Sequence, residues 1–186
     1  MRVVVGITGA SGIVYGVRLL EVLKAKGIET HLVLSNNAEK IAKNELDLTR
    51  KQIERLANYS YGLDDLESPI SSGSFLVDAV IIVPCSMKTL AAIANGYADN
   101  LISRSADCAL KEGKPLILVI RETPLNVIHL RNLMTAAECG AIILPAMPAF
   151  YHKPKSVNDV VDFVVGKILD RVGIKHNLYK RWKDVA

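Results

Sequence analysis

The sequence is poor in cysteine, in aromatic residues and in long apolar runs, and each shortage excludes a class of protein. Its three cysteines are an odd number with no C-x-x-C pair, so neither a disulfide framework nor a zinc site is predicted. Aromatic residues make up only 5% of the chain, which argues against stacking platforms for nucleic acid. No apolar run approaches the roughly 18 residues of a membrane span, and the apolar start is too short for a signal peptide. We therefore expect a cytoplasmic protein that binds no metal, nucleic acid or membrane.

The chain is rich in apolar residues for its size. Half of its 186 residues are hydrophobic, and the length fits a single domain over residues 1–186, with a charged tail from about residue 173 around Trp182. An apolar excess on a domain this small predicts subunit contacts in addition to a core. The net charge of +4 comes from scattered residues and suits small anionic ligands. We therefore expect a homo-oligomer that binds a small anion.

Strand-like and helix-like segments alternate along the chain. The predicted strands are residues 2–7, 29–34, 78–83, 115–120 and 141–144. The predicted helices are residues 12–26, 36–46, 49–57, 86–95, 101–111, 125–138 and 157–171, with a polar connection over residues 59–73. Continuous apolar strands suit a parallel sheet that is buried on both faces. The sequence predicts a three-layer α/β fold, flavodoxin-like or Rossmann-like, around an open parallel sheet.

The first strand runs into the turn Gly9-Ala10-Ser11-Gly12, and a helix follows at once. Small residues let a ligand approach the main chain, and a helix N-terminus favours an anion. The glycine spacing is not G-x-G-x-x-G, and the second predicted strand ends in Ser35-Asn36-Asn37 with no carboxylate. This turn therefore predicts a phosphate or mononucleotide site and argues against NAD.

Each predicted strand is followed by an unusual turn. In chain order these turns read TGAS, SNN, PCSMKT, RETP and PAMPAFYH. Because the carboxyl ends of parallel strands meet at one edge of a sheet, the five turns converge. The sequence predicts one binding site at that edge.

The motifs GITGASG, PCSMKTLAAIANGYADNL, SADCALKEGKPLILVIRETPL, HLRNL and PAMPAFYHKP together cover most of the chain. In this combination the sequence resembles the UbiX-type flavin prenyltransferases. The resemblance implies a flavodoxin-like transferase, usually a dodecamer, that needs no metal. It implies that dimethylallyl phosphate is joined to reduced FMN, and that the prenylated FMN serves a UbiD-type decarboxylase. Whether the donor is a monophosphate or a pyrophosphate stays open.

The resemblance also implies roles for individual residues. The matching FMN-binding positions are Gly9, Ala10, Ser11, Ser35, Ser86, Met87, Lys88, Thr89, Arg104 and Arg121. The matching donor-binding positions are Lys111, Tyr151 and Lys167. The matching catalytic positions are Ser11, Glu45 and Glu122, with Glu122 assigned to proton transfer.

Two positions depart from the pattern. Lys167 stands where many relatives have arginine, so the charge is kept but the bidentate fork is lost. Leu66 stands where some relatives have tryptophan, which changes a predicted wall of the prenyl pocket.

Two other functions are compatible with parts of the sequence. A related flavoprotein branch decarboxylates cysteine and uses a histidine before the third strand together with a P-x-M-N motif. Here residues 59–78 contain no histidine, and Met147 is followed by Pro148. A flavin carrier without catalysis would need neither Glu122 nor Tyr151. The prenyltransferase is therefore the favoured interpretation.

Overall fold

Six parallel strands form the middle layer of the protein in a computed structural model that describes residues 1–183. The strands are β1 (Arg2–Ile7), β2 (Glu29–Leu34), β3 (Tyr59–Tyr61), β4 (Ala79–Cys85), β5 (Leu116–Ile120) and β6 (Ile142–Pro145). Their order across the sheet is β3-β2-β1-β4-β5-β6. Every residue of β4 and β5 is buried, as expected for parallel strands covered on both faces. The predicted α/β fold with an open parallel sheet is confirmed.

Helices cover both faces of this sheet. They are α1 (Ile13–Ala25), α2 (Asn36–Leu46), α3 (Arg50–Glu54), α4 (Met87–Ala94), α5 (Leu101–Lys111), α6 (Val127–Glu138) and α7 (Val157–Arg171). One core cluster joins the sheet to α1, α2, α3 and α7, and a second joins it to α4, α5 and α6. In the part of the chain that the structure describes, no helix is both long and apolar enough to cross a membrane.

The chain reverses its direction of travel across the sheet between β1 and β4. After β1 it adds β2 and then β3 on one side, and it then returns to place β4 on the other side of β1. The two connections leave β1 and β4 toward opposite faces, which opens a crevice beyond their carboxyl ends. Ligands of open α/β sheets bind at such a switch point.

The sheet has one strand more than the sequence predicts. Tyr59–Tyr61 lies within the predicted polar connection, but it pairs with β2 as a parallel edge strand. The cause is packing across the two strands: the Tyr59 and Tyr61 rings stack on His31 at centroid distances of 4.8 and 5.8 Å. The Tyr61 hydroxyl also lies 2.9 Å from His31 Nδ1. Local sequence does not show these contacts, so the prediction of five strands is wrong.

Two other boundaries differ from the prediction. The strand predicted to stop at Val83 continues as β4 through Pro84 to Cys85, with a register shift against β5 after Ile82. The helix predicted over residues 125–138 begins two residues later, as α6 at Val127, and its Ile128 side chain is 65% exposed. The last residues of the predicted tail, 184–186, lie outside the described residues.

Candidate active site

A cleft of about 710 Å³ opens at the carboxyl edge of the sheet, at the switch between β1 and β4. Predicted site residues that line this cleft are Gly9, Ser35, Ser86, Met87, Lys88, Thr89 and Glu122. They come from four separate turns, after β1, β2, β4 and β5. The fold therefore brings together side chains that are more than one hundred residues apart in the sequence.

Two helix N-termini face this cleft. Ser35 begins α2, and its hydroxyl accepts a hydrogen bond from the backbone N–H of Ala38 at 3.2 Å. Ser86 begins α4 in the same way, with the N–H of Thr89 at 3.3 Å. Unpaired N–H groups and the positive ends of two helix dipoles thus meet in one place, and Lys88 adds a formal charge. The arrangement fits the phosphate of a mononucleotide.

Thr8 holds these turns together, although the sequence analysis did not select it. Its side chain is buried, donates a hydrogen bond to the Pro84 carbonyl at 2.8 Å and accepts one from the Ser86 N–H at 2.8 Å. One hydroxyl thereby fixes the end of β1 against the start of α4. The available signal is a polar residue directly after the apolar run Val3–Ile7, at the end of a buried strand.

The first helix N-terminus is occupied by a carboxylate of the chain itself. Glu45 accepts hydrogen bonds from the backbone N–H of Gly12 at 2.9 Å and of Ile13 at 3.1 Å. A negative side chain at this position satisfies the orphan N–H groups of α1. At this turn the N-terminus of α1 is therefore satisfied within the chain, whereas the N-termini of α2 and α4 open onto the cleft.

Arg121 and Glu122 follow β5 and reach the same edge. A Cβ atom on Gly12 would lie 3.0 Å from the Tyr15 ring and 3.9 Å from Arg121 Cγ, so both side chains pack around this glycine, whose φ is 95°. Burial raises the pKa of Tyr15, and the positive charge of Arg121 opposes that shift. Glu122 is exposed to the cleft and accepts a hydrogen bond from the Thr123 N–H at 2.9 Å.

Tyr151 and Lys167 form a second group that does not line the cleft. The Tyr151 ring meets Phe163 of α7 edge-on at 6.1 Å and Trp182 edge-on at 5.2 Å. Lys167 lies one helical turn after Phe163, on the adjoining surface of α7. Within one chain these two residues do not join Glu122, and their shared role at the donor stays a prediction.

Arg104 and Lys111 form a third group, on α5. Arg104 donates to the Ser71 carbonyl at 2.9 Å and pairs with Asp107 at 2.8 Å. Lys111 ends the helix and pairs with Glu112 at 3.2 Å. Because α5 leads from the carboxyl edge back to the start of β5, Lys111 lies near the opposite edge of the sheet. Arg104 is in the first turn of α5, but like Lys111 it is not among the residues that line the cleft of one chain.

The residues of the cleft fit FMN. Its volume lies within the roughly 300–1,000 Å³ of small-molecule sites. Gly9 lets the main chain approach closely, since a Cβ atom there would lie 2.6 Å from Asn37 Cβ. Polar groups at the α2 and α4 N-termini match a phosphate, and the described residues contain no group of three side chains that could hold a metal ion.

Cys85 is the cysteine nearest this cleft in sequence, because it comes just before Ser86. It is fully buried at the end of β4, and this burial raises the pKa of its thiol far above the usual value. A neutral buried thiol is a poor nucleophile. Cys85 is therefore part of the packed core rather than a nucleophile of the site.

Comparisons with known proteins agree with this site. A model of the flavoprotein family matches residues 1–169. The flavin prenyltransferase UbiX of Methanocaldococcus jannaschii is 55% identical over 185 residues, which covers 100% of both chains. The crystal structure of AnUbiX in complex with FMN and dimethylallyl pyrophosphate superposes with a TM-score of 0.97 at 46% identity, covering 100% of this chain and 98% of that one. A dodecameric FMN-dependent UbiX-like decarboxylase from Escherichia coli O157:H7 gives a TM-score of 0.96 at 45% identity, covering 98% and 100%.

These comparisons confirm the resemblance that the motifs indicate and favour it over cysteine decarboxylation. Identity is spread over the whole chain, and the fold is shared in full. The chain belongs to the flavoprotein family and, within it, to the UbiX-type flavin prenyltransferases, which are transferases that use FMN.

Proposed function

We propose that this protein transfers the dimethylallyl group of dimethylallyl phosphate to reduced FMN and releases inorganic phosphate. The observation that carries the proposal is the cleft at the carboxyl edge, which joins two free helix N-termini to Glu122. The bond between the allyl carbon and the phosphate oxygen breaks as that carbon bonds to flavin N5, which loses its proton. The C=C bond of the prenyl group then takes up a proton, and the carbon left electron-deficient bonds to the neighbouring aromatic ring of the flavin. Ring closure replaces an aromatic C–H bond, so a base must accept a proton.

FMN is held by the turns of the cleft in this proposal. Its phosphate lies against the N-termini of α2 and α4, where Ser35, Ser86 and Thr89 offer hydroxyl groups beside the charge of Lys88. Gly9, with Ala10 and Ser11 after it, gives close backbone contact to the flavin. Arg121 lies at the same edge and supplies a positive charge beside it.

Glu122 acts as the base of the ring-closing step. Its carboxylate is exposed in the cleft, and its hydrogen bond to the Thr123 N–H orients it without neutralising it. Ser11 and Glu45 support the same site from the first turn, where the Glu45 carboxylate fixes the start of α1. No other acidic residue that lines the cleft follows directly after a strand: Asp99, the remaining one, precedes α5.

The donor phosphate is bound by Tyr151, Lys167 and Lys111, while Arg104 contributes to the FMN site. Cations and hydrogen-bond donors aimed at the leaving phosphate stabilise the charge that develops on it. Because these residues lie outside the cleft of one chain, neighbouring chains must supply them. The donor site is thus completed only in the oligomer.

A homododecamer accounts for this separation, and a dodecamer is the assembly of the E. coli relative. The large apolar side chains exposed on α6 are Val127, Ile128, Leu130 and Met134. Such a patch on one helix marks a protein contact. The product then passes to a separate UbiD-type decarboxylase in the cytoplasm, a reducing compartment that suits the free cysteines Cys85, Cys108 and Cys139.

The test is anaerobic incubation with reduced FMN and dimethylallyl phosphate, followed by mass analysis of the released flavin. We expect a flavin that carries one prenyl unit, and a parallel reaction with dimethylallyl pyrophosphate decides which donor is used. Wild-type protein that binds FMN but leaves its mass unchanged with both donors would refute the proposed activity.

Glu122→Gln tests the role of the carboxylate. The amide keeps the shape of the side chain but cannot take a proton, so we expect retained FMN binding and a loss of about 10²–10⁴-fold in product formation. Glu138→Gln is the matched control, because Glu138 is exposed at the far end of α6. Native turnover by Glu122→Gln would move the proton to another acceptor, such as an oxygen of the released phosphate.

A further inference from the structure

The segment after α7 is fastened to that helix through one carboxylate. Asp170 accepts a hydrogen bond from the Tyr179 hydroxyl at 2.7 Å and a forked pair from the Arg181 guanidinium at 2.6 and 3.2 Å. The third partner is His176 Nε2, at 3.1 Å. The Leu178 N–H donates to Nδ1 of the same ring at 3.2 Å, so the ring proton is on Nε2 and points at Asp170. Three residues of the segment therefore share one anchor.

The surface of α7 is shaped to receive this segment. Phe163, Gly166 and Asp170 are spaced by three and four residues, so they lie on one face of the helix. A Cβ atom on Gly166 would lie 2.5 Å from the Tyr179 ring and 2.7 Å from the His176 ring. Only glycine allows the two rings to lie directly on the helix. The contact with Asp170 is thus part of a fitted interface.

Aromatic rings connect this interface to Tyr151. The Tyr179 ring packs on Phe163 at 4.8 Å, and Phe163 meets the edge of Tyr151 at 6.1 Å. The Trp182 ring contacts Tyr151 as well, edge-on at 5.2 Å. Tyr151 is therefore held between a ring of α7 and a ring of the C-terminal segment.

Burial alone does not hold the indole in place. Trp182 is 66% exposed, so little apolar surface is removed from water where it meets Tyr151. His176, in contrast, is almost completely buried, with 1% of its side chain exposed beside Asp170. The hydrogen bonds to Asp170 therefore hold the segment on α7, and Trp182 lies beyond them on the exposed side.

The charges at the anchor agree with this geometry. Burial would raise the pKa of Asp170, but the hydrogen bonds from Arg181, Tyr179 and His176 outweigh it and lower the pKa to about 2. Burial and the bond to Asp170 raise the pKa of Tyr179 to about 12. Asp170 is therefore ionised and Tyr179 neutral at neutral pH, and both are in the states that the hydrogen bond requires.

We propose that Asp170 is a positioning residue for the donor site: it fixes the C-terminal segment on α7 so that Trp182 stays against Tyr151. The inference rests on the proposed function in one respect, which is the role of Tyr151 at the donor phosphate. With the anchor in place, the tyrosine hydroxyl is presented from a ring that is packed on two sides. Without it, Tyr151 loses the Trp182 contact and samples other rotamers.

The experiment uses Trp182 as a reporter, because it is the only tryptophan of the chain. Time-resolved anisotropy of its fluorescence, measured on the assembled full-length protein, should show an indole that turns with the whole particle. In Asp170→Asn we expect the anisotropy decay to gain a fast component, which reports local motion of the indole. Tyr179→Phe removes one hydrogen bond but keeps the ring on Phe163, so a smaller change in the same direction is expected and the fold is preserved.

Turnover provides the second measurement. The apparent affinity for the donor falls with the fraction of molecules in the competent conformation, so the donor KM of Asp170→Asn should rise about tenfold. We expect kcat and FMN affinity to change less than twofold, since neither the cleft nor Glu122 is touched. A merely structural role would instead lower the amount of active enzyme and leave the donor KM unchanged.

Asp162→Asn is the matched control. Asp162 is also on α7 and also receives a forked arginine pair, from Arg18 at 2.7 and 3.2 Å, but it does not contact the C-terminal segment. It should leave both the Trp182 anisotropy and the donor KM as in the wild type. Asp170→Asn with wild-type anisotropy, or with a mobile indole and an unchanged donor KM, would overturn the inference. Wild-type protein that forms no prenylated flavin would contradict the proposed function, whereas the anisotropy still decides whether Asp170 holds Trp182.

Discussion

Replacing Thr8 by valine should separate the two roles of the crevice between β1 and β4, which are stability and FMN binding. Valine has nearly the same shape but no hydroxyl, so the Ser86 N–H loses its acceptor at 2.8 Å. The Pro84 carbonyl keeps a second donor, the Thr8 N–H at 3.2 Å. One polar group is therefore left without a partner, which costs about 1–3 kcal/mol.

For a chain of this length the loss corresponds to a decrease in Tm of about 2–12 °C. The effect on binding has a different origin, because the bond from the Ser86 N–H to Thr8 holds in place Ser86, which begins α4 and lines the proposed phosphate site. We expect FMN affinity to fall about tenfold, equivalent to about 1.4 kcal/mol. Thermal unfolding without flavin and titration with FMN measure the two quantities separately.

Thr30→Val is the matched control at the opposite edge of the sheet. Thr30 is fully buried near the start of β2, and its hydroxyl accepts from the Asn58 N–H at 3.2 Å and donates to Asn58 Oδ1 at 3.1 Å. The Asn58 Oδ1 atom likewise keeps a second donor, the Thr30 N–H at 2.9 Å. The control should lower Tm by a similar amount and leave FMN affinity unchanged. Equal losses of FMN affinity in both variants would refute the reasoning.

Four further changes probe other parts of the site. Lys167→Arg restores the bidentate fork, so the donor KM should fall about threefold, as expected for 0.5–1 kcal/mol at a partly exposed contact; an increase would place Lys167 away from the phosphate. Gly9→Ala should weaken FMN binding by about 5- to 150-fold in a flavin titration, because its Cβ would meet Asn37 at 2.6 Å and overpacking costs about 1–3 kcal/mol; unaltered binding would show that the turn adjusts freely. Glu45→Gln keeps one acceptor for α1 but removes the charge, so Tm should fall by no more than about 4 °C while FMN stays bound; loss of FMN binding would assign Glu45 to the flavin directly. The pKa of Asp170 is lowered from 3.8 to about 2 on folding, so the ionised carboxylate adds about 1–2 kcal/mol to the free energy of unfolding above pH 4, and this stability is lost as the pH falls toward 2. Asp170→Asn should flatten that part of the curve of Tm against pH. An unchanged slope would contradict the low pKa of Asp170.

Local pattern was sufficient for most of the fold. Continuous apolar runs such as Val3–Ile7 are long enough to identify buried parallel strands, and the turn residues between segments mark where helices begin. Strand β3 could not be predicted because Tyr59–Tyr61 is only three residues long and is held by contacts with His31, which is nearly thirty residues away. The exposure of one face of α6 could not be predicted for a related reason. An apolar helix face has the same sequence pattern whether or not it packs on its own sheet, and the side chain of Ile128 is exposed.

For the candidate site, too, part follows from the sequence and part only from the tertiary structure. The sequence by itself determined that the strand-end turns converge, because the carboxyl ends of parallel strands lie at one edge of the sheet, and it predicted which residues there carry the chemistry. Only the tertiary structure decided that the Glu45 carboxylate occupies the N-terminus of α1, which leaves the α2 and α4 N-termini for an anion. It also separated Tyr151 from Glu122 and joined the C-terminal segment to Asp170. These arrangements depend on how elements that are distant in sequence pack against one another rather than on local propensity. The local sequence pattern therefore does not predict them.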